Sequence, residues 1–200
     1  MTTPLSLLGA PWKKKLLNSL EQNKSLAYAK YVQLATIQVD GKPANRTVVF
    51  RGFLGVGDDL TFVTDRRSKK VEEVAHNPNA EACWYFPISR EQYRISGQLT
   101  VVGADHQDQQ LREARQLAWS NMSNSGRSQF TWPQPREVRV QDPSAFTKPA
   151  PGPQETPLDD FCLVVMRVEL VDYVQLFENV RESLWIDSES GAWMQQDLNP

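Results

Sequence analysis

The sequence predicts a mainly β protein with peripheral helices (α+β), an antiparallel barrel of six or more strands that is closed or nearly closed. Short runs rich in Val, Ile, Thr and Tyr recur between Tyr31 and Gln196. Tight-turn signals such as Asp40-Gly41, Gly55 to Asp59 and Ser190-Gly191 separate them. Helix-periodic segments are too few to supply the crossovers of a doubly wound parallel sheet. With 200 residues and 40% apolar content the chain can close one substantial core. A single domain over 1–200 is expected, with a Pro-rich long loop over 121–160.

Pro11 opens a helix whose apolar face is read as Trp12, Leu16, Leu17 and Leu20, with Lys13, Lys14 and Lys15 toward water. A strand over Tyr31–Val39 turns at Asp40-Gly41 into a second strand over Pro43–Phe53. Leu60–Thr64 returns as a third strand and runs into a basic cluster, after which Ser68 caps a short helix that stops at Asn77-Pro78. Glu81–Phe86 and Glu91–Val102 follow as strands, the latter alternating Tyr93, Ile95, Gly97 and Leu99 against Gln92, Arg94, Ser96 and Gln98. Asp105 is read as the cap of a helix with Leu111, Ala114, Leu117 and Ala118 on one face. Seven prolines between Asn121 and Asp160 forbid long regular structure, so that segment is either functional or a mobile excursion. Phe161–Leu170 is a buried strand continued by Asp172–Leu176 after a bulge, and Leu184–Gln196 is a last hairpin.

A formal charge of −2 gives the whole molecule no attraction to polyanions, so a nucleic-acid role would have to rest on the local patch Arg66, Arg67, Lys69 and Lys70. Cys83 and Cys162 lie in apolar, strand-like surroundings and are expected as reduced thiols. Met1 to Ala10 has no basic residue and no long apolar stretch, and no run approaches membrane-spanning length; the expectation is a cytoplasmic chain with no membrane role. His76 and His106 lie near no cysteine or carboxylate pair, so no metal site is expected. Neither a dinucleotide-binding glycine motif nor a phosphate-binding Walker loop is present.

The informative segment is Arg46 to Lys70. A phosphate monoester is close to a dianion near neutral pH and accepts hydrogen bonds on three oxygens, so it calls for several cations and hydroxyls in an arc. Arg46, Arg51, Lys69 and Lys70 with Thr64 and Ser68 supply such a set beside the start of a helix. Arg46 sits within a strand, where an unpaired guanidinium is costly and an anion should meet it. Arg46 and Arg51 are five residues apart, hence on opposite faces of a regular strand, and a bulge, a strong twist or a ligand across the edge is needed to bring them together.

On these residues the chain resembles the pyridoxamine 5'-phosphate oxidase-like flavoproteins, FMN-binding split barrels that are usually dimeric. It is similar above all to the branch described as pyridoxamine 5'-phosphate oxidase-related FMN-binding proteins. The family strand motif corresponds to Arg46-Thr47-Val48-Val49-Phe50-Arg51, with Arg51 in place of lysine, and the next element to Phe62-Val63-Thr64 followed by Ser68-Lys69-Lys70. The resemblance implies FMN as cofactor, held by Arg46, Thr47, Val48, Val49, Phe50, Arg51, Val63, Thr64, Ser68, Lys69 and Lys70, with Gln92 reaching it from the partner subunit of a homodimer.

Arg127 to Trp132, including Ser128, is similar to a weakened form of the family's substrate-side segment. The C-terminal substrate motif is missing. The corresponding region runs from Tyr173 to Arg181, leaving Arg181 as a substitute substrate contact or an ordinary surface arginine, and leaving the catalytic residues unassigned. The resemblance thus implies an FMN-dependent oxidoreductase that oxidises a small-molecule amine or alcohol with dioxygen to an aldehyde and hydrogen peroxide. The alternatives are an FMN-dependent reductase drawing on NAD(P)H, and a non-catalytic flavin- or nucleic-acid-binding module.

Overall fold

The computed structural model of the protein describes residues 3–5 and 9–200. Much of the Met1–Ala10 leader reading therefore lies outside the described residues. In chain order the elements are β1 (Thr3–Leu5), α1 (Pro11–Gln22), β2 (Tyr31–Ile37), β3 (Pro43–Val49), β4 (Gly52–Phe53), β5 (Leu60–Asp65), α2 (Lys69–His76), β6 (Asn79–Phe86), β7 (Glu91–Val102), α3 (Gln109–Ser120), α4 (Asn124–Ser128), β8 (Phe161–Gln175), β9 (Val180–Ile186) and β10 (Trp193–Leu198). All pairings are antiparallel, in the order β1-β10-β9-β8-β7-β6-β2-β3, with β5 joining β4 to β8.

The long strand β8 splits the barrel. One edge pairs with β7 along nearly its whole length, while the other pairs first with β5 (Phe161 to Met166) and then with β9 (Leu170 to Gln175). At the parting point the β7–β8 register jumps, because Ser96 faces Leu170 but Gly97 faces Val168, which leaves Glu169 as the extra residue of a bulge. Gly97 is required there: a Cβ would stand 1.9 Å from the Arg167 carbonyl oxygen. The expected strand from Phe161, continued after a bulge, is the single strand β8, with the bulge at Glu169.

The expected strand over Pro43–Phe53 breaks instead. β3 ends at Val49, and the chain changes partner over the next two residues: Phe50 N–H donates to Lys30 O at 2.9 Å and Arg51 N–H to Thr61 O at 2.8 Å. Gly52, at φ +130°, makes the corner.

Inside the barrel lie Val32, Leu34, Phe50, Leu60, Phe62, Trp84, Phe86, Tyr93, Ile95 and Met166, and α1 closes one side with Trp12 and Leu16. Leu17, expected on that face, is 47% exposed, and Ser19 takes the buried position through a 2.8 Å hydrogen bond with the Tyr93 hydroxyl. Asp108 rather than Asp105 caps α3, accepting from the N–H groups of Gln110 and Leu111. The inward residues of α3 include Arg115 and Trp119, whereas Leu117 is 62% exposed.

These two inward residues explain the proline-rich segment. Arg115 donates to Leu158 O at 2.7 Å and Phe161 O at 2.8 Å, and Trp119 Nε1 donates to Gly152 O at 3.2 Å. The rings of Trp119, Phe130 and Phe161 pack edge to face with centroids 5.0 to 6.1 Å apart. Prolines leave this stretch few backbone donors for a ladder, so side-chain donors from α3 and α4 satisfy its carbonyls instead. Both cysteines are free thiols, and burial pushes Cys162 up to about 11. No helix among the described residues is long and apolar enough to cross a membrane.

Candidate cofactor site

β5 alternates Phe62 into the core with Val63 toward a surface cavity, and the turn after Asp65 leads directly into α2. Ser68 occupies the N-cap with extended backbone, but its hydroxyl makes no cap. It faces Thr64 Oγ1 at 3.1 Å, and the Lys70 ammonium donates to both oxygens, at 2.8 Å to Thr64 and 3.0 Å to Ser68. Because each hydroxyl accepts from Lys70, its own proton is free to point elsewhere. One can serve the other hydroxyl, and at least one remains for an outside acceptor.

Lys70 uses two of its three N–H bonds in this way and, among the described residues, makes no ion pair with a carboxylate. Burial lowers its pKa, the neighbouring Arg46 charge lowers it further, and Glu73 and Asp65 oppose the shift.

Arg46 has an anion from its own chain. Its Nη2 donates to Glu73 Oε2 at 2.7 Å, and its Nη1 to Thr36 Oγ1 and, at 3.4 Å, to Leu34 O. The Thr36 hydroxyl donates a hydrogen bond to the same Glu73 oxygen at 2.6 Å. Burial of Glu73 would raise its pKa, but the hydrogen bonds from Thr36 and Arg46 and the charges of Arg46 and Lys70 bring it below the usual carboxylate range. Sequence reasoning missed Glu73. The adjacent Glu72-Glu73 pair carries no local signal of which carboxylate is buried, and only its spacing three residues after Lys70 pointed to it.

The cavity has a volume of about 360 Å³. Thr47, Val48, Val49, Arg51, Val63, Thr64, Asp65 and Lys70 form one wall, and Met122, Gly126, Gln129, Phe130, Trp132 and Pro135 the other. The proline-rich segment thus supplies half of the site. An adjoining cavity of about 270 Å³ shares Val49, Arg51 and Met122 and adds Lys30, Phe50, Phe53, Leu117 and Ala118. Arg51 stands at the junction of the two.

The remaining sequence-derived residues lie elsewhere. Lys69 is exposed and lines a separate groove with Arg66, Arg67, Ser68 and Arg136. Arg66 pairs with Asp105 at 3.4 Å, and Arg67 holds Asp65 in two bonds of 2.9 and 2.6 Å and Asp160 at 3.2 Å. Gln92 lies on the outer face of β7, opposite Tyr85 and Val174. Ser128 donates to Ser125 O at 3.0 Å, so its neighbours Gln129 and Phe130 rather than its own hydroxyl line the cavity. Arg181 is clamped to Asp172 by bonds of 3.0 and 2.6 Å, at the end of a charge ladder that crosses from Glu81 through Arg94 and Asp172. The structure thereby gives Arg181 a structural partner and places it on the outer sheet face, away from the cavity's lining.

Comparison with known proteins identifies the family and the fold. The family model described as pyridoxamine 5'-phosphate oxidase, FMN-binding domain, matches residues 9–103, which include β2 to β7 and α2. Pyridoxine/pyridoxamine 5'-phosphate oxidase 2 of Arabidopsis thaliana is 38% identical over 194 residues, covering 96% of this chain and 98% of that protein. The pyridoxine/pyridoxamine 5'-phosphate oxidase of Psychrobacter cryohalolentis is 30% identical over 128 residues, and the match spans 62% of this chain but 56% of that protein. Among solved structures, a pyridoxamine 5'-phosphate oxidase-related, FMN-binding protein from Nostoc punctiforme superposes with a TM-score of 0.92 at 41% identity, covering 98% of this chain and 100% of the other. Aligned from end to end with a relative of that name, and carrying the same split antiparallel barrel as an FMN-binding protein, the chain belongs to the pyridoxamine 5'-phosphate oxidase FMN-binding family.

Proposed function

We propose that the cavity between β3, β5 and the 121–135 segment receives the phosphate of FMN, and that the protein, acting as one unit over its whole length, is an oxidoreductase oxidising a small amine or alcohol with dioxygen. One observation carries this reading: Lys70 and Arg51 open onto the same cavity and, among the described residues, neither has a carboxylate partner. A half-buried ammonium backed by two hydroxyls is an unsatisfied donor set, and a phosphate dianion supplies the missing charge and acceptors. The residues present therefore fit the group.

Lys70, Thr64 and Ser68 would hold the phosphate, with Arg51 at the rim and Arg46 behind Lys70. Val49, Val63, Met122, Phe130 and Trp132 give the same cavity apolar walls suited to a flat heterocycle. Asp65, the carboxylate among the lining residues, is tied to Arg67, so the chain contributes binding, orientation and exclusion of water rather than a proton acceptor. When bound, the flavin supplies the redox chemistry, accepting two electrons from a substrate and passing them to dioxygen. Gln92, half-buried on the outer sheet face opposite exposed Tyr85, supports a homodimer in which it reaches the flavin of a second copy. Arg66 and Arg67, neutralised by carboxylates, disfavour the nucleic-acid reading.

The absorbance spectrum of the purified protein should carry flavin bands, and FMN should bind more tightly than riboflavin. Anaerobic bleaching by pyridoxamine phosphate or another small amine supports the oxidase, whereas bleaching by reduced nicotinamide alone assigns the reductase. Equal affinity for FMN and riboflavin would remove the phosphate site from this cavity.

A further inference from the structure

We propose that Glu73 is a positioning residue for the phosphate end of the cofactor site, acting through Arg46 and Lys70 without touching the ligand. The inference rests on the phosphate reading above and deepens it.

Glu73 sits on the inward face of α2, one turn below Lys70, and is 6% exposed. Its Oε2 gathers two donors from two strands, Thr36 of β2 and Arg46 of β3, at 2.6 and 2.7 Å. One carboxylate thereby ties the second turn of α2 to the β2–β3 hairpin. Thr36 is shared, donating to Glu73 while accepting from Arg46, so the three side chains form a closed ring of hydrogen bonds. Such a ring fixes the guanidinium in one orientation, because each group is determined by the other two.

Arg46 is not exhausted by this ring. A guanidinium has five N–H bonds; Nη1 spends both of its own on Thr36 and Leu34, and Nη2 spends one on Glu73. The Nε–H and the second Nη2–H stay uncommitted among the described residues. Glu73 also stands close enough to Lys70 that its charge supports the protonated ammonium against burial. The carboxylate is therefore both the clamp that orients one cation and the counter-charge that lets two cations lie side by side in a half-buried site. Long side chains held in this way lose little further freedom when the anion arrives, which is the physical content of preorganisation.

Charge and positioning act in opposite directions here, since deleting a negative charge beside an anion site favours the anion. Two variants of equal charge separate them. Glu73→Gln keeps an acceptor for Arg46, whereas Glu73→Ala keeps none. The measured quantity is the ratio of riboflavin to FMN dissociation constants, which isolates the phosphate increment, together with the thermal midpoint of each variant. The expected result is an increment about tenfold smaller in Glu73→Ala than in Glu73→Gln, the equivalent of one charge-assisted hydrogen bond, with riboflavin affinity alike in the two. Thr36→Val, which opens the ring while leaving every charge in place, should reduce the increment in the same direction.

An increment equal in the two Glu73 variants, or larger in Glu73→Ala, overturns the proposal. So does a loss of riboflavin binding that parallels the loss of FMN binding, since a collapsed cavity would weaken both. Failure of the phosphate reading itself has a different signature: Lys70→Met leaves the increment unchanged, and the wild-type protein does not distinguish FMN from riboflavin.

Discussion

Arg46 and Arg51 belong to one extended run yet serve different neighbours, because the chain changes strand partner between them. Phe50 still donates to Lys30 on the β2 side, while Arg51 donates to Thr61 on β5. The two arginines accordingly stay apart: Arg46 is held by Thr36 and Glu73, while Arg51 opens onto the cavity that Lys70 lines.

The corner depends on Gly52. At φ +130° its backbone lies where L side chains rarely go, and an added Cβ would meet nothing within 4 Å. Gly52→Ala therefore carries backbone strain without a clash, an expected loss of about 1–2 kcal/mol in chemical denaturation. Because Arg51 adjoins this residue, the variant should also weaken FMN more than riboflavin. Unchanged values on both measures would show that the corner is held by its neighbours alone.

Gly97 offers the contrasting case of a clash. Its missing Cβ would fall 1.9 Å from the Arg167 carbonyl oxygen at the bulge where β8 leaves β5 for β9. Gly97→Ala has no soft side chain to displace, so the β7–β8 register must shift, and destabilisation of more than about 3 kcal/mol is expected. A thermal scan of the soluble fraction reads the outcome directly.

Acidity should reveal the cation set. Burial and the charge of Arg46 place the folded-state pKa of Lys70 below that of a free lysine, so at alkaline pH the folded chain gives up this proton before the unfolded chain does. In that window the unfolded state binds more protons, and the group's contribution to stability rises with pH. Phosphate binding has the opposite dependence, since it needs the ammonium. The preference for FMN over riboflavin should grow as the phosphate loses its second proton near about pH 6, hold at neutral pH, and decline earlier on the alkaline side than an ordinary lysine would give.

Glu73 governs the acid limb of stability. Its folded pKa is depressed, so its stabilising contribution is present above the unfolded carboxylate pKa and is lost as pH falls through the folded value. Glu73→Gln should flatten that part of the stability curve. Urea midpoints of the two proteins across the acid range make the comparison.

Trp119 should decide whether the proline-rich segment stays in place. It packs on Phe130 and Phe161 and donates to Gly152 O, and Phe130 lines the cofactor cavity. Trp119→Ala is expected to cost about 3–5 kcal/mol, to expose 121–160 to limited proteolysis, and to lower affinity for FMN and riboflavin together, because the wall it supports is apolar.

Much of this molecule was legible in one dimension. Period-two alternation placed β7 from Glu91 to Val102 residue for residue, and Asn77-Pro78 marked the end of α2, because both signals depend on local sterics and on which face is buried. The spacing of Thr64, Ser68 and Lys70 was enough to expect them together, since a strand end, a turn and a helix start leave little freedom over seven residues. The partner of Arg46 was not legible. An anion was foreseen there, but Glu73 meets it across two elements and 27 positions. Nor did sequence separate Lys69 from Lys70, which one helical step sends to different grooves.

Sequence alone determined most of the strands and turns and the cationic and hydroxyl character of one wall, because those follow from side-chain periodicity and charge, while the break of the 43–53 strand at Val49 did not show in it. Only the tertiary structure decided which cations keep an open N–H, that Arg181 pairs with Asp172, and that residues 122–135 close the other wall. Those outcomes depend on which acceptor the folded chain brings within 3 Å of each donor, and a distance between remote segments is a property of packing that no local pattern encodes.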